Sequence, residues 1–283
     1  MQIAYTVEEA KKITRSWKRE GQTIGLVPTM GYLHEGHASL IRKARENNDK
    51  VVVSVFLNPI QFAPNEDLDS YPRDFEHDCA LAEEMGADLV FHPEPSEMYK
   101  NHETYVNMGL LTESMDGLAR PIHFRGVCTV LTKLFNIMLP DNAYFGQKDA
   151  QQLAIVKKMV FDLNFDVKIT GCPIVREDDG LAKSSRNTYL SPEERAAAPV
   201  LSRSIAEGER VIEAGMASAD LVDAMMKVLD AEPLADTEYV KVVDALTMQP
   251  VETIDRPVLV AMAVHVGPTR LIDNFSWDPE DGE

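Results

Sequence analysis

Cysteine is scarce in this 283-residue chain: Cys79, Cys128 and Cys172 are the whole complement. Their number is odd, their spacing wide, and no Cys-x-x-Cys pair occurs. That argues against a disulfide framework and for buried thiols in a reducing compartment. Long apolar runs are missing as well, since nothing approaches the roughly 18 uninterrupted apolar residues that a membrane span needs. The opening residues, Met1-Gln2-Ile3-Ala4-Tyr5, lack the basic-then-apolar layout of a signal peptide. The expected location is therefore cytoplasmic, with no membrane partner. Base is also in short supply, with 28 Lys+Arg against 46 Asp+Glu and a net charge of −18, which excludes an extended nucleic-acid-binding face. There are no internal repeats.

The acidity is uneven. Residues 1–176 hold 19 Lys+Arg against 24 Asp+Glu, while residues 177–283 hold 9 against 22. Such a bulk repels anions, so an anionic ligand needs a locally basic site. Arg73, Arg120, Arg125, Lys148, Lys183 and Arg186 are the cations near glycine-rich stretches. The acidity itself reads as solubility, in keeping with a saline habitat.

What is present is enough for one large or two modest domains, 45% hydrophobic and 26% charged. Apolar spacing predicts a helix over residues 7–20, stopped by Gly21. The run Ile24 to Val27 predicts a strand, followed by a glycine-punctuated loop and a helix beginning at His37. The β-branched run 50–57 suits a strand covered on both faces of a parallel sheet. Further on, helices are expected over 71–86, 127–139 and 150–163, and strands over 87–91, 143–146 and 165–172. The irregular span 94–122 is too long for a linker and reads as a functional or covering segment. Beyond residue 176, helices over 192–215 and 218–229 precede strands over 239–243 and 258–266, with a short last one at 271–272. The tail after Trp277 should fray. The expected architecture is α/β: a Rossmann-like parallel-sheet domain over 1–176, with a smaller α+β domain over 177–283 closing over the active site.

The candidate chemistry begins at Val27-Pro28-Thr29-Met30-Gly31-Tyr32-Leu33-His34-Glu35-Gly36-His37. A strand feeding a helix through such a loop presents backbone N–H groups and a partial positive charge to phosphate. Two imidazoles there can add hydrogen bonds or a proton as charge develops; equally, they can simply cap the helix. Zinc ligation is disfavoured, because the spacing is i, i+3 rather than i, i+4 and no cysteine or carboxylate cluster adjoins. Lys183-Ser184-Ser185-Arg186 can wrap a triphosphate, or serve as a hydrophilic interdomain turn. In Gly146-Gln147-Lys148-Asp149 the lysine can meet phosphates and the aspartate ribose hydroxyls, while Asp149 can equally be only an N-cap. Gln61 and Gln152 can hydrogen-bond a small polar substrate. Arg120, His123 and Arg125 form either an anion clamp or a solvated loop.

Taken in order, these stretches resemble the pantothenate synthetase (pantoate–β-alanine ligase) family. The matching blocks are Pro28-Thr29-Met30-Gly31-x-Leu33-His34-x-Gly36-His37, Val55-Phe56-x-Asn58-Pro59-x-Gln61-Phe62 and Asp67-Leu68-x-x-Tyr71-Pro72-Arg73. Arg120-Pro121-x-His123-Phe124-Arg125-Gly126, Phe145-Gly146-x-Lys148-Asp149-x-Gln151-Gln152-Leu153, Gly180-Leu181-Ala182-x-Ser184-Ser185-Arg186-Asn187 and Arg270-Leu271-Ile272-Asp273-Asn274 complete the series. The resemblance implies a homodimeric ligase that uses ATP with Mg²⁺. Pantoate would be adenylated with release of pyrophosphate, and β-alanine would then attack the acyl group and release AMP. By position, Met30, Gly31, Tyr32, Leu33, His34, Glu35, Gly36 and His37 would line the ATP site, with His37 as proton donor and His34 beside it. Gly146, Gln147, Lys148, Asp149, Val175, Lys183, Ser184, Ser185 and Arg186 would complete that site, Lys148 and Arg186 with catalytic roles. Gln61 and Gln152 would hold pantoate. Asp78 is the closest match for an acidic partner of Mg²⁺, with His77 where a second carboxylate occurs.

The chain departs from the family pattern at Gln147, Ala150, Ile122 and Lys183, where Glu, an aromatic, Gly and an apolar residue are common. Ile122 would make the backbone beside His123 less permissive, and Lys183 would add a cation near the phosphates. Two other readings remain: a nucleotidyltransferase that stops after the first half-reaction, and a nucleotide sensor that binds without turnover.

Overall fold

The computed structural model describes residues 1–282. The chain divides into two compact units. The elements in order are β1 (Gln2–Ala4), α1 (Val7–Arg19), β2 (Ile24–Thr29), α2 (Glu35–Asn47), β3 (Lys50–Val55), α3 (Phe75–Glu84), β4 (Leu89–Phe91), α4 (Pro95–Met98), α5 (Met115–Ala119), α6 (His123–Met138), β5 (Asn142–Gly146), α7 (Ala150–Asp162) and β6 (Lys168–Cys172). They continue with α8 (Pro192–Ala197), α9 (Val200–Val211), α10 (Ser218–Leu229), β7 (Ala235–Asp244), β8 (Val258–Val266) and β9 (Thr269–Trp277).

The first unit is built on a six-stranded sheet in the order β1-β4-β3-β2-β5-β6, with every pair parallel. The valine-rich β3 is buried along nearly its whole length, as a parallel strand covered on both faces must be. Its register with β2 runs from Ile24 opposite Lys50 to Thr29 opposite Val55. From β2 the chain winds outward through β3 and β4, then returns to place β5 and β6 on the other side. The order therefore reverses between β2 and β5. At such a switch point the loops leaving the C-terminal strand ends diverge and leave a crevice for ligand. Residues 30–34 leave β2 there, residues 58–61 follow β3, and Gly146 ends β5. Beneath the loop lies a core of Val27, Leu33, Ile41, Val51, Val53 and Tyr144.

The second unit has an antiparallel sheet, β7-β8-β9, with Val258 opposite both Asp244 and Trp277. Its core includes Leu201, Ile205, Leu221, Met225, Val260, Met262 and Phe275. Two stretches far away in sequence, Leu110–Leu118 and Lys148–Gln151, belong to this unit as well, a grouping that a linear division at residue 176 does not contain. Hydrogen bonds explain it: Ser114 donates to the Met248 carbonyl at 2.7 Å, and the Gln151 amide donates to the Leu111 and Ser114 carbonyls at 2.9 Å each. Arg270 pairs with Asp116 and with Glu238, both at 2.6 Å.

Several boundaries differ from the sequence reading. β1 has no sequence signature; three residues are too few to show a pattern, and pairing with β4 creates the strand. α3 starts at Phe75 instead of residue 71, because Asp74 caps it by accepting the His77 N–H. α6 begins four residues early at His123. The helix expected over 192–215 splits into two, with Pro199 at the N-cap of α9. β9 is a full nine-residue strand, which its partner β8 extends beyond what Leu271-Ile272 indicate. The irregular span includes the short helices α4 and α5. In the tail, Pro279–Gly282 form a 3-10 turn where the sequence suggests fraying, and Glu283 lies outside the described residues.

Among the described residues no helix is long and apolar enough to cross a membrane. Cys128 and Cys172 are buried, whereas Cys79 is only half-buried; burial raises all three thiols, Cys128 to about 12. Ile41, fully buried in α2, belongs to the same core cluster as Leu33 of the site loop. Ile41→Ala should lower the unfolding free energy by about 2–5 kcal/mol, read from the urea midpoint by circular dichroism. A cost below about 1 kcal/mol would mean that the layer under α2 can collapse into the space.

Candidate active site

Helix α2 starts in an unusual way. His34 is its N-cap, so the helix begins at Glu35, two residues before His37. The Nδ1 of His34 accepts the Gly36 N–H at 3.1 Å, and the Nδ1 of His37 accepts the His34 N–H at 3.2 Å. The two rings lie with centroids 4.2 Å apart. A nitrogen that accepts a hydrogen bond carries no proton, so each neutral ring bears its hydrogen on Nε2. The caps thus fix both rings as Nε2–H donors at a helix N-terminus. Gly36 is required by this geometry, because a Cβ there would lie 2.8 Å from Cε1 of His34.

The other loop residues divide by what they offer. Leu33 is 2% exposed and belongs to the core, and its N–H and carbonyl are engaged by Asp78 and His77. Gly31 and Tyr32 both have positive φ, 93° and 51°. Glu35 is ion-paired with Arg42.

Gln61 sits in a buried amide relay. Tyr99 donates to Asn58 Oδ1 at 2.6 Å, so Asn58 must present its NH₂ group to Gln61 Oε1, at 2.9 Å, and to the Gly126 carbonyl. Gln61 in turn presents its own NH₂ group, which lies 3.1 Å from the Met30 sulfur. His123 Nδ1 bonds the Gln61 carbonyl at 3.1 Å. Asn58, Tyr99 and His123 thus have positioning roles that the residue-by-residue reading does not assign. Asn58 lies within a quoted motif; Tyr99 lies in the irregular span, where nothing in the pattern marks it.

Arg120, His123 and Arg125 do not converge on a clamp. Arg120 pairs with Glu66, Arg125 lies 4.6 Å over the Tyr105 ring, and His123 is buried against Gln61. Arg73 braces its own loop by donating to the carbonyls of Leu68, Asp69 and Tyr71. Ile122 has φ −98°, an ordinary value, so the expected loss of permissiveness costs nothing here.

Gly146 ends β5, and Gln147 opens the 3-10 turn Gln147–Asp149. Gln152 lies half-buried in the first turn of α7. Within the second unit, Lys148 is 3.7 Å from the Asp149 carboxylate, and its carbonyl accepts from Asn274 at 2.7 Å. Asn274, buried on β9, holds that carbonyl through a contact that sequence reasoning leaves unassigned. Val175 and Lys183 stand side by side, the Lys183 N–H donating to the Val175 carbonyl at 2.9 Å. Ser184 caps the turn Ser185–Tyr189 by accepting the Arg186 N–H, and Ser185 is buried. Asn187 ties this stretch to Glu177 and to the Ala182 carbonyl. This serine-rich segment is therefore braced.

The described residues do not form a dedicated Mg²⁺ site. Among the described residues no three of His, Cys, Asp and Glu are grouped to hold a metal ion. Asp78 is 1% exposed and spends both oxygens on the backbone N–H groups of Tyr32 and Leu33, at 2.9 and 2.6 Å. Burial pushes its carboxyl up, against the pull of those two N–H groups.

Tyr99→Phe removes the donor that orients Asn58, and should raise the KM for the small acid expected at Gln61 about tenfold, with the KM for ATP unchanged. Equal KM shifts in steady-state kinetics would refute the relay. Burial raises the Glu66 carboxyl, but Arg120 and the Ala63 N–H outweigh it, so the net shift is downward from 4.5. A carboxylate lowered on folding contributes stability above its unfolded value and loses it as pH falls through the folded one. Glu66→Gln should therefore flatten the fall in melting temperature below about pH 4.5.

The chain matches the sequence model of the pantoate-beta-alanine ligase family over residues 2–276. It is 60% identical to the pantothenate synthetase of Ruminiclostridium cellulolyticum, covering 99% of this chain and 100% of that one. With the pantothenate synthetase of Clostridium botulinum strain Loch Maree it shares 55% identity, over 98% and 99% of the two chains. The crystal structure of pantothenate synthetase from Thermus thermophilus superposes with a TM-score of 0.91 at 44% identity, over 97% and 99%. The ligase from Francisella tularensis, solved in complex with beta-gamma ATP and beta-alanine, gives a TM-score of 0.81 at 32% identity, over 100% and 99%. With its six-stranded parallel sheet, its paired histidines at the head of α2 and this likeness along its whole length, the chain belongs to the pantoate–β-alanine ligase family.

Proposed function

We propose that the chain condenses pantoate with β-alanine, using ATP, through a pantoyl adenylate. The observation that carries this reading is the pair of histidines at the N-terminus of α2, both held as Nε2–H donors by backbone N–H groups on their Nδ1 atoms. A carboxylate is a poor acyl donor until a leaving group is attached to it. In the first step a pantoate oxygen attacks the α-phosphorus, and the bond from that phosphorus to the bridging oxygen breaks as pyrophosphate leaves. The equatorial oxygens gain charge, and donors already in place stabilise them without reorganisation.

His37 and His34 meet that charge, aided by the partial positive charge of the helix end. Lys148, Lys183 and Arg186 are assigned to the phosphates, and Gly146, Gln147, Asp149, Val175, Ser184 and Ser185 to the rest of the nucleotide. In the second step the β-alanine nitrogen attacks the acyl carbon, the carbon–oxygen bond to AMP breaks, and the amine gives up its proton. Gln61, with its NH₂ group turned outward from Asn58, and Gln152 hold pantoate. Mg²⁺ accompanying ATP would neutralise part of the triphosphate charge. The family likeness supports a cytoplasmic homodimer, and light scattering of the purified protein tests the dimer directly.

Pantoate-dependent exchange of pyrophosphate into ATP, without β-alanine, isolates the first step. Its absence from folded protein would sink the proposal, whereas exchange with no amide on adding β-alanine would mark a nucleotidyltransferase. His37→Ala should slow exchange about 10²–10³-fold, while the lost cap lowers stability by only about 1 kcal/mol. Exchange at the wild-type rate would remove His37 from the mechanism.

A further inference from the structure

The loop that carries His34 is in an unfavourable conformation. Gly31 and Tyr32 are successive residues with positive φ, and Tyr32 is not a glycine. Such a backbone persists only where its surroundings over-determine it. The surroundings here are the first turn of α3. Asp78 receives the Tyr32 N–H on Oδ2 and the Leu33 N–H on Oδ1. Successive N–H groups converging on one anion form a nest, here filled by a carboxylate from the protein itself. His77 Nε2 lies 3.1 Å from the Leu33 carbonyl and donates to it. Asp74 in turn caps that helix through the His77 N–H at 3.0 Å. Gly31 lets the carboxylate approach, since a Cβ there would sit 3.1 Å from Asp78 Oδ2.

Both backbone groups of Leu33 are therefore held by α3, and the next residue is His34. The His34 N–H fixes the His37 ring, and the His34 ring receives the Gly36 N–H. The chain of contacts runs from Asp78 and His77 through Leu33 to both imidazoles. We propose that Asp78 and His77 are positioning residues for the histidine pair: the carboxylate fills the loop's own anion nest and is not a ligand of Mg²⁺. The burial supports this division of labour. A carboxylate out of water is costly unless hydrogen-bonded, and Asp78 meets that condition entirely through the loop.

The inference rests on the proposed function only for its kinetic readout. Asp78→Asn keeps the shape but turns one acceptor into a donor that faces a loop N–H. It should speed amide hydrogen exchange in residues 31–34 and lower the rate of pantoate-dependent pyrophosphate exchange about tenfold to a hundredfold. The Mg²⁺ concentration for half-maximal rate should not move. His77→Gln, which keeps a donor, should restore most of the rate lost in His77→Leu. A shifted Mg²⁺ requirement with unchanged loop exchange would overturn the proposal in favour of a metal ligand. Unchanged loop protection with an unchanged rate would overturn it too. If Asp78→Asn fails to fold, the two His77 variants still decide, because Leu without rate or exchange change contradicts the clamp. A wild-type protein with no pyrophosphate exchange would fail the proposed function alone, since loop protection is read without turnover.

Discussion

Everything at the head of α2 depends on two imidazole nitrogens accepting backbone N–H groups. A helix start leaves such donors without intrahelical partners, and serine, threonine or aspartate usually meets them. Here His34 and His37 do so through Nδ1. Capping, one of the two explanations open when only the spacing is known, occupies Nδ1 of each ring and so does not compete with the chemical role proposed for Nε2. Capping fixes the tautomer, the tautomer makes Nε2 a donor, and the ring positions follow from the helix. Replacing either ring by an aliphatic side chain would remove a cap and a donor together.

The sheet explains why that helix start is where it is. β2 lies at the point where strand order reverses, so the loop leaves its C-terminal end at the edge where open α/β sheets bind ligands. The 58–61 turn after β3 reaches the same edge, which is how Gln61 comes within 3.1 Å of the Met30 sulfur. Polar groups buried at this edge are satisfied in series, from Tyr99 to Asn58 to Gln61, and each bond sets the orientation of the next amide. Buried polar relays of this kind specify one arrangement because any flipped amide would set donor against donor.

The acidity of the chain is compatible with an anionic ligand because positive potential is supplied locally and by the backbone. α2 contributes its N-terminal dipole, and α3 contributes a negative charge that is neutralised within the fold by two N–H groups. Asp78 looks like a cation ligand when only residue types are compared. Its surroundings give it another task, because both oxygens already hold the loop.

Much of this was legible in the sequence. The β-branched run of β3, the glycine-punctuated turn before α2 and the spaced apolar positions of the helices reflect local preference, and local preference is written residue by residue. The family blocks were legible for the same reason, since chemistry fixes residue types at short spacings. What the tertiary structure decided was long-range. β1 exists because β4 offers an edge, and residues 110–118 join the second unit because Ser114, Asp116 and Gln151 bond across long sequence separations. Tyr99 became a positioning residue only when folding brought it to Asn58, 41 residues away. The sequence by itself determined the parallel sheet, the helix carrying His34 and His37, and the family. Which nitrogen each ring offers, which way Gln61 faces and what Asp78 holds were decided by contacts that no stretch of sequence contains, because hydrogen-bond direction depends on the partner that folding supplies.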